Sequence, residues 1–257
     1  MTKIVITEPE KIAKLITIFR NLKNIVSMVN ISITNTEFYI QGMDDSHISF
    51  LEILLKNDWF NTFEVEDTIL GINTEILFMV INNWKEGYSI EITYENNDYL
   101  NITFEGEKLL SKHYEIPIID LDIDKINVPP TEYDLDLVLD SVVFKDVITE
   151  LVQFDQTILL SCSLDKILLK SKGDMGRVDI QIKEDDIIEY SAALEEKEEM
   201  SIYYSGNSIL FGCNLYKINK NVSVHISREM PIKINYEMED CKESYVRLYV
   251  APKISEN

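Results

Sequence analysis

The chain has 257 residues, of which 46% are hydrophobic, and its 24 Lys and Arg stand against 45 Asp and Glu for a net charge of −21. A chain of this length folds into one large domain or two of about 100 to 130 residues, with enough apolar side chains for a buried core. The negative charge excludes a free-standing basic nucleic-acid binder. The odd number of cysteines, without CxxC spacing, argues against a disulfide framework or a zinc site.

The N-terminus lacks the apolar core of a signal peptide, and no apolar run is long enough to span a membrane. From this pattern we expect a soluble, intracellular protein with no membrane partner.

Four segments have the apolar spacing of helices, namely 9–23, 73–84, 141–154 and about 208–217. Thr7, Asn73 and either Asp140 or Ser141 are placed to cap the first three of these helices. Gly212 interrupts the fourth. Between them, short alternating stretches rich in Ile, Val, Tyr and Phe predict a protein dominated by β-strands.

Two hairpins are predicted, one pairing 88–93 with 99–104 across Glu95–Asp98, the other pairing 157–162 with 166–171 across Ser163–Asp165. The order of strands and helix in 2–55 recurs in 133–182, and that of 68–104 recurs in 200–236. The sequence therefore predicts an α+β protein of two similar domains, each with a doubled strand-helix-sheet unit. Because Pro129 and Pro130 cannot continue a ladder or a helix, we place an extended connector at 118–134, between domains at 1–117 and 135–257.

No motif indicates catalysis or a metal. Asp120, Asp122 and Asp124 have the spacing of a calcium loop, but Lys125 and Thr131 stand where that loop requires Gly and Glu. The three histidines are far apart, and no GxSxG or Walker loop is present. We predict no catalytic residue, no metal site and no cofactor.

Four segments, in order, resemble the eukaryotic-type DNA sliding clamps of the proliferating cell nuclear antigen family. They are Gln41–Ser49, Leu121–Asp124 with Pro129 and Tyr133, Ser161–Asp174, and the ending Tyr249–Ile254. The divergent sequence, heavy in Ile and Asn, is typical of an AT-rich genome such as that of a large DNA virus or a protist. The resemblance implies a homotrimeric ring with helices lining the hole and sheets outside, which encircles duplex DNA and tethers replication and repair enzymes in a nucleus or a viral replication compartment.

The resemblance also implies three sets of site residues. Inner-helix cations would face DNA phosphates, and they are concentrated on the first helix: Lys11, Lys14, Arg20, Lys23, Lys145, Lys217 and Lys220. A pocket flanked by the connector and the tail would receive a peptide with a Gln, an aliphatic residue and two aromatics, carried by the DNA polymerase, the clamp loader and other partners: Met43, His47, Ile48, Phe50, Ile126, Val128, Tyr133, Pro231, Tyr249, Val250, Ala251 and Pro252. Edge strands around 109–117 and 175–182 would join the subunits: Lys112, Tyr114, Ile116, Met175, Arg177, Val178 and Ile180.

Two alternatives stay open at this point. A clamp-like viral processivity subunit would grip DNA as a monomer or dimer through an exposed basic face, although lysines are sparse on the later helices. An acidic α+β hydrolase is the enzyme alternative, and it lacks a recognisable nucleophile and base.

Overall fold

The computed structural model describes residues 1–95, 98–163, 166–195, 198–228, 230–239 and 241–253, apart from the side chains of Glu184 and Lys242. Ile254 and the predicted turn residues Asn96, Asn97, Leu164 and Asp165 lie outside these ranges. The chain divides into two compact units. The first comprises Met1–Asp44, Leu51–Asn127 and Glu237–Val246; the second comprises Asp45–Phe50, Val128–Tyr236 and the described residues from Arg247 on.

The elements of the chain's first half alternate strands with two helices. In order they are β1 (Thr2–Ile6), α1 (Pro9–Ile25), β2 (Met28–Ile33), β3 (Glu37–Met43), β4 (Ser49–Lys56), β5 (Thr62–Glu64), β6 (Thr68–Asn73), α2 (Thr74–Ile81), β7 (Ser89–Tyr94), β8 (Tyr99–Glu105) and β9 (Lys112–Pro117).

The second half repeats the pattern. Its elements are β10 (Leu135–Asp140), α3 (Ser141–Phe154), β11 (Thr157–Ser163), β12 (Lys166–Gly173), β13 (Gly176–Ile182), β14 (Ile187–Ala192), β15 (Met200–Ser205), α4 (Gly206–Cys213), β16 (Asn221–Ile226), β17 (Ile232–Met238) and β18 (Cys241–Val250). The α+β class, both hairpins and the repeated order of elements are therefore confirmed.

Each unit contains antiparallel sheets against which two helices pack. In the first unit, one sheet has the strand order β5-β1-β7-β8-β9, and β4-β3-β2-β6 are neighbours in another. In the second, one sheet has the order β13-β12-β11-β15, and β14-β10-β16-β17 are neighbours in another. Helices α1 and α2 pack against each other and contribute Phe19, Leu77 and Ile81 to the core of the first unit. Helices α3 and α4 likewise pack together and contribute Phe144 and Ile209 to the core of the second unit.

The helix starts agree only in part with the sequence prediction. Asn73 and Asp140 cap α2 and α3 as predicted, each accepting hydrogen bonds from two backbone N–H groups. Thr7 does not cap α1: Glu8 occupies the cap position without a side-chain cap bond, and the Thr7 N–H donates to Asn61 Oδ1 at 2.8 Å. The prediction placed the cap one residue too early, because α1 begins at Pro9 and Glu8 therefore takes the cap position.

The fourth helix begins and ends earlier than predicted. Ser205 caps it, and it runs through Gly212 to end at Cys213. A Cβ at Gly212 would lie 3.0 Å from side-chain atoms of both Ile234 and Leu248, so glycine allows the helix to pack closely there.

Replacing Asp140 by Ala is expected to lower the free energy of unfolding by about 1 kcal/mol, because two N–H groups of α3 lose their acceptor. Urea denaturation measures the change. Asp174→Ala, at an exposed position outside any helix, is the control. Equal effects of the two substitutions would contradict a capping role for Asp140.

Candidate DNA-facing and partner-binding surfaces

Two of the predicted DNA-facing cations lie over one aromatic ring in the first unit. The guanidinium carbon of Arg20 is 5.8 Å from the centre of the Phe78 ring, and Lys23 Nζ is 5.0 Å from it. Both cations come from α1 and the ring comes from α2, so packing of the two helices concentrates positive charge on their shared surface. Arg20 also contacts Asn82 Oδ1, at 3.5 Å.

The other two cations of α1 are engaged by carboxylates. Lys11 is buried, and its Nζ lies 3.0 Å from Glu8 Oε1, a contact that lowers the pKa of Glu8. Lys14 is 12% exposed and lies 3.3 Å from Glu239 Oε2. Within the first unit, Arg20 and Lys23 are therefore the α1 cations that keep their charge available to an outside phosphate.

The second unit has a similar but weaker arrangement around Tyr216. Lys145 Nζ of α3 is 4.5 Å from the centre of this ring, and Lys217 Nζ is 5.8 Å from it. Lys217 and Lys220 lie beyond the end of α4, in the turns that precede β16, and not on the helix where the sequence placed Lys217. The solvent side of α3 also carries exposed Val142, Val143, Asp146 and Glu150, so two acidic side chains outnumber the one cation of this helix.

The aromatic partners of these cations were not predicted. Phe78 lies within α2, whereas Tyr216 lies in the turn that follows α4, so the two rings do not occupy equivalent positions in the repeats. Each is distant in sequence from the cation of the preceding helix, so no local spacing signals the pair.

Four residues of the predicted peptide pocket are brought together in the second unit. The Ala251 N–H donates to the carbonyl of Ile48 at 2.9 Å, and the rings of Phe50 and Tyr249 lie 5.8 Å apart. Ile48 is 38% exposed, whereas Phe50 and Tyr249 are buried. The segment after β18 therefore lies along the residues that open β4, with Ile48 at its surface.

Other residues of the predicted peptide pocket lie elsewhere in the second unit or are buried. The described ring contacts of Tyr133 are with His225, at 5.4 Å between centres, and with Lys233 Nζ, at 4.8 Å. Burial raises the pKa of Tyr133 and lowers that of His225, whose Nδ1 also contacts Asp136. Val250 is fully buried in the core. The remaining members at least partly reach the surface: His47, Val128, Pro231 and Pro252.

Met43 and Ile126 belong to the first unit. Met43 is half-buried at the end of β3, and Ile126 is 41% exposed on the connector. The connector begins against β6, where the Ile119 N–H donates to the Gly71 carbonyl at 2.9 Å, and Lys125 Nζ lies 4.2 Å from the centre of the Tyr39 ring. These contacts hold the part of the connector that precedes Ile126.

The predicted subunit strands are edge strands of their own sheets. β9 ends the five-stranded sheet, where Tyr114 packs 5.4 Å from Phe104, Lys112 Nζ lies 4.7 Å from the Tyr88 ring, and Ile116 is buried. β13 ends the four-stranded sheet, with Val178 and Ile180 half-buried and Arg177 bound to Asp179. Met175, in the turn before β13, is 84% exposed.

No helix in the described part of the chain is long and apolar enough to cross a membrane. Within the same residues, no group of His, Cys, Asp and Glu side chains is arranged to hold a metal ion.

Comparison with protein families accounts for the duplicated architecture. Residues 8–126 match the family model "Proliferating cell nuclear antigen, N-terminal domain", and residues 127–253 match "Proliferating cell nuclear antigen, C-terminal domain". The chain belongs to the proliferating cell nuclear antigen family. This finding gives the hydrolase alternative no support.

Individual relatives align with almost the whole chain at modest sequence identity. Proliferating cell nuclear antigen of Chaetomium thermophilum is 24% identical over 242 residues, which are 92% of this chain and 93% of the relative. Proliferating cell nuclear antigen 2 of Drosophila melanogaster is 25% identical, over 91% of this chain and 92% of its own length. A protein named "Probable DNA polymerase sliding clamp" from Autographa californica nuclear polyhedrosis virus is 23% identical over 91% of each chain.

Proposed function

We propose that this protein is a DNA sliding clamp and polymerase processivity factor that encircles duplex DNA as a homotrimer. The observation that carries the proposal is the match of both family domains, in order, over residues 8–253. The proposed clamp domains are 1–117 and 135–257, joined by the connector 118–134. The protein acts without catalysis, in a nucleus or a viral replication compartment.

The distribution of charge supports topological retention on DNA. With a net charge of −21, the chain as a whole repels phosphate, and the available cations at Arg20, Lys23, Lys145, Lys217 and Lys220 are few. A ring needs only weak, mobile contacts with DNA, because its closure prevents dissociation. The viral alternative, an open subunit that grips DNA, needs a stronger basic face than these helices provide.

The second part of the proposal is tethering of polymerase, clamp loader and other enzymes through short peptides with a Gln-aliphatic-aromatic motif. Support comes from two exposed apolar side chains, Ile48 in the loop between β3 and β4 and Ile126 on the connector. Such peptides bind in apolar surfaces with a few polar groups, and aromatic anchors supply most of the affinity. The peptide site includes the tail residues Tyr249, Ala251 and Pro252.

Retention on circular DNA tests the encircling function. We expect clamp loaded onto a nicked circular duplex by its loader and ATP to stay with the DNA through gel filtration, and to be released when a restriction enzyme linearises the circle. Tight binding to a short linear duplex at physiological salt, with no effect of linearisation, would contradict encirclement and favour the open gripping subunit.

The Arg20→Glu/Lys23→Glu double variant is expected to weaken the already low affinity for a short linear duplex by about fivefold, with a shallower salt dependence, because it removes two phosphate contacts. Fluorescence anisotropy at several salt concentrations measures both quantities. Lys108→Glu/Lys183→Glu changes the net charge equally at exposed positions outside the helices. Equal losses in the two variants would contradict a local role for Arg20 and Lys23.

A further inference from the structure

The solvent face of the four-stranded sheet in the second unit is basic. Buried residues alternate along β12 with outward-facing Lys166, Leu168, Lys170 and Lys172. Lys170 is opposite Leu159 of β11 on one side and Asp179 of β13 on the other, and Lys172 is opposite Arg177. Four cations and one carboxylate therefore lie on this face, in a chain with a net charge of −21. They are Lys166, Lys170, Lys172 and Arg177, with Asp179 as the carboxylate.

A concavity of about 290 Å³ lies on this face, lined by Thr157, Leu159, Lys170, Lys172, Arg177 and Tyr203. The chain adds a further cation at its rim: Lys253 Nζ donates to Thr157 Oγ1 at 2.6 Å, and the Lys253 N–H donates to the Tyr203 carbonyl at 2.7 Å. The tail residue is thus held by two contacts beside the concavity.

Lys170 and Lys172 have no carboxylate within ion-pair distance among the described residues. Arg177 is already engaged, since its Nε donates to Asp179 Oδ1 at 2.6 Å. The pKa of Asp179 is lowered, first by its hydrogen bonds from Arg177 and also by the charges of Arg177, Lys170 and Lys166. The two lysines therefore keep their charge for a ligand.

The corresponding sheet of the first unit, β4-β3-β2-β6, differs in charge. Its strand β3, which has the place of β12 in the repeat, carries no Lys or Arg, and its Glu37 is paired with Lys56 Nζ at 2.8 Å. Because the two units repeat one architecture, the basic face is a property of the residues in the second copy and does not follow from the fold.

We propose that this basic concavity, defined by Lys170, Lys172, Leu159 and Tyr203, docks an acidic segment of a protein partner that also presents an apolar side chain. The lysines supply charge for carboxylates, while half-buried Leu159 and Tyr203, which is 42% exposed, supply an apolar surface beside them. The residues are neighbours in one sheet, since Leu159 pairs with both Lys170 and Tyr203. None of these four residues belongs to the peptide site of the proposed function.

The charge around the concavity favours a peptide over nucleic acid. Exposed Asp174 lies in the turn that joins β12 to β13, next to the concavity, and the chain has a net charge of −21, so a long polyanion that extended beyond the concavity would meet negative charge. A short acidic peptide needs only the local cations, and it gains from apolar contact that a phosphate backbone lacks.

Fluorescence anisotropy with the full chain tests the proposal. The probe is a fluorescein-labelled peptide of Asp and Glu with one Leu and one Phe, and the comparison peptide has Asn and Gln in place of the acids. We expect the acidic probe to bind more tightly than the neutral one. Lys170→Glu/Lys172→Glu should weaken binding of the acidic probe by about tenfold or more, and Tyr203→Ala should weaken it by about threefold.

Lys85→Glu/Lys108→Glu is the matched control, because it changes the net charge equally at exposed residues of the first unit. Equal weakening in the two double variants would overturn the proposal, as would undetectable binding of the acidic peptide. Tighter binding of a short duplex, lost in Lys170→Glu/Lys172→Glu, would overturn it in favour of nucleic acid. If sedimentation showed that this variant alone changes the oligomeric state, the lysines would act between subunits and the docking site would be refuted. Retention of the unmodified chain on circular DNA is measured separately, so failure of this docking site and failure of the encircling function are distinguishable.

Discussion

The Tyr114→Ala variant is expected to sediment mainly as a monomer at concentrations at which the unmodified chain sediments as a trimer. Tyr114 lies on the edge strand β9 and is half-buried against Phe104. Loss of a large aromatic side chain at the centre of an interface typically costs about 2 kcal/mol or more, which weakens each contact about thirtyfold. Sedimentation velocity over a range of concentrations measures the shift.

His113→Ala is the control for this variant, because His113 lies on the same edge strand but faces the opposite, exposed side of the sheet. It should leave the trimer intact. Thermal unfolding separates a lost contact from a damaged fold, since the Tyr114→Ala monomer should still unfold cooperatively. A monomeric unmodified chain at high micromolar concentration would refute the ring, and a fully trimeric Tyr114→Ala variant would refute the role of Tyr114.

Replacing Ile126 by Ala is expected to weaken binding of a polymerase-tail peptide with the Gln-aliphatic-aromatic motif by at least about tenfold. Ile126 is 41% exposed on the connector, so its truncation removes an apolar contact from the proposed peptide site without opening the core. Tyr249→Ala should weaken the peptide at least as much, and it should also lower stability because Tyr249 packs against Phe50. Isothermal titration calorimetry gives the affinities.

Ile123→Ala is the matched control, because it removes the same atoms from a connector residue that is 50% exposed and outside the proposed site. We expect less than about a twofold change from it. Unchanged affinity in both Ile126→Ala and Tyr249→Ala would place the partner site elsewhere. Loss of the trimer in Ile126→Ala would show that this side chain supports the assembly and not a peptide.

Local sequence patterns determined those helices and strands that depend on residues close together in the chain. The apolar spacing of 141–154 gave both ends of α3, because its cap at Asp140 binds N–H groups two and three residues ahead. The strands at 157–162 and 166–171 pair as their alternation predicted. The repeated order of strands and helices gave the two-domain α+β architecture, since a duplicated hydrophobic pattern folds twice in the same way.

Tertiary structure decided which polar side chains are available and which are already bound. Lys14 looks like a free cation on α1, yet it lies beside Glu239, 225 residues further along the chain. Arg20 and Lys23 are brought over Phe78, and Lys170 is placed between Leu159 and Asp179, only when helices and strands pack. Charge attraction depends on distance in space, and the spacing of residues along the chain does not give that distance.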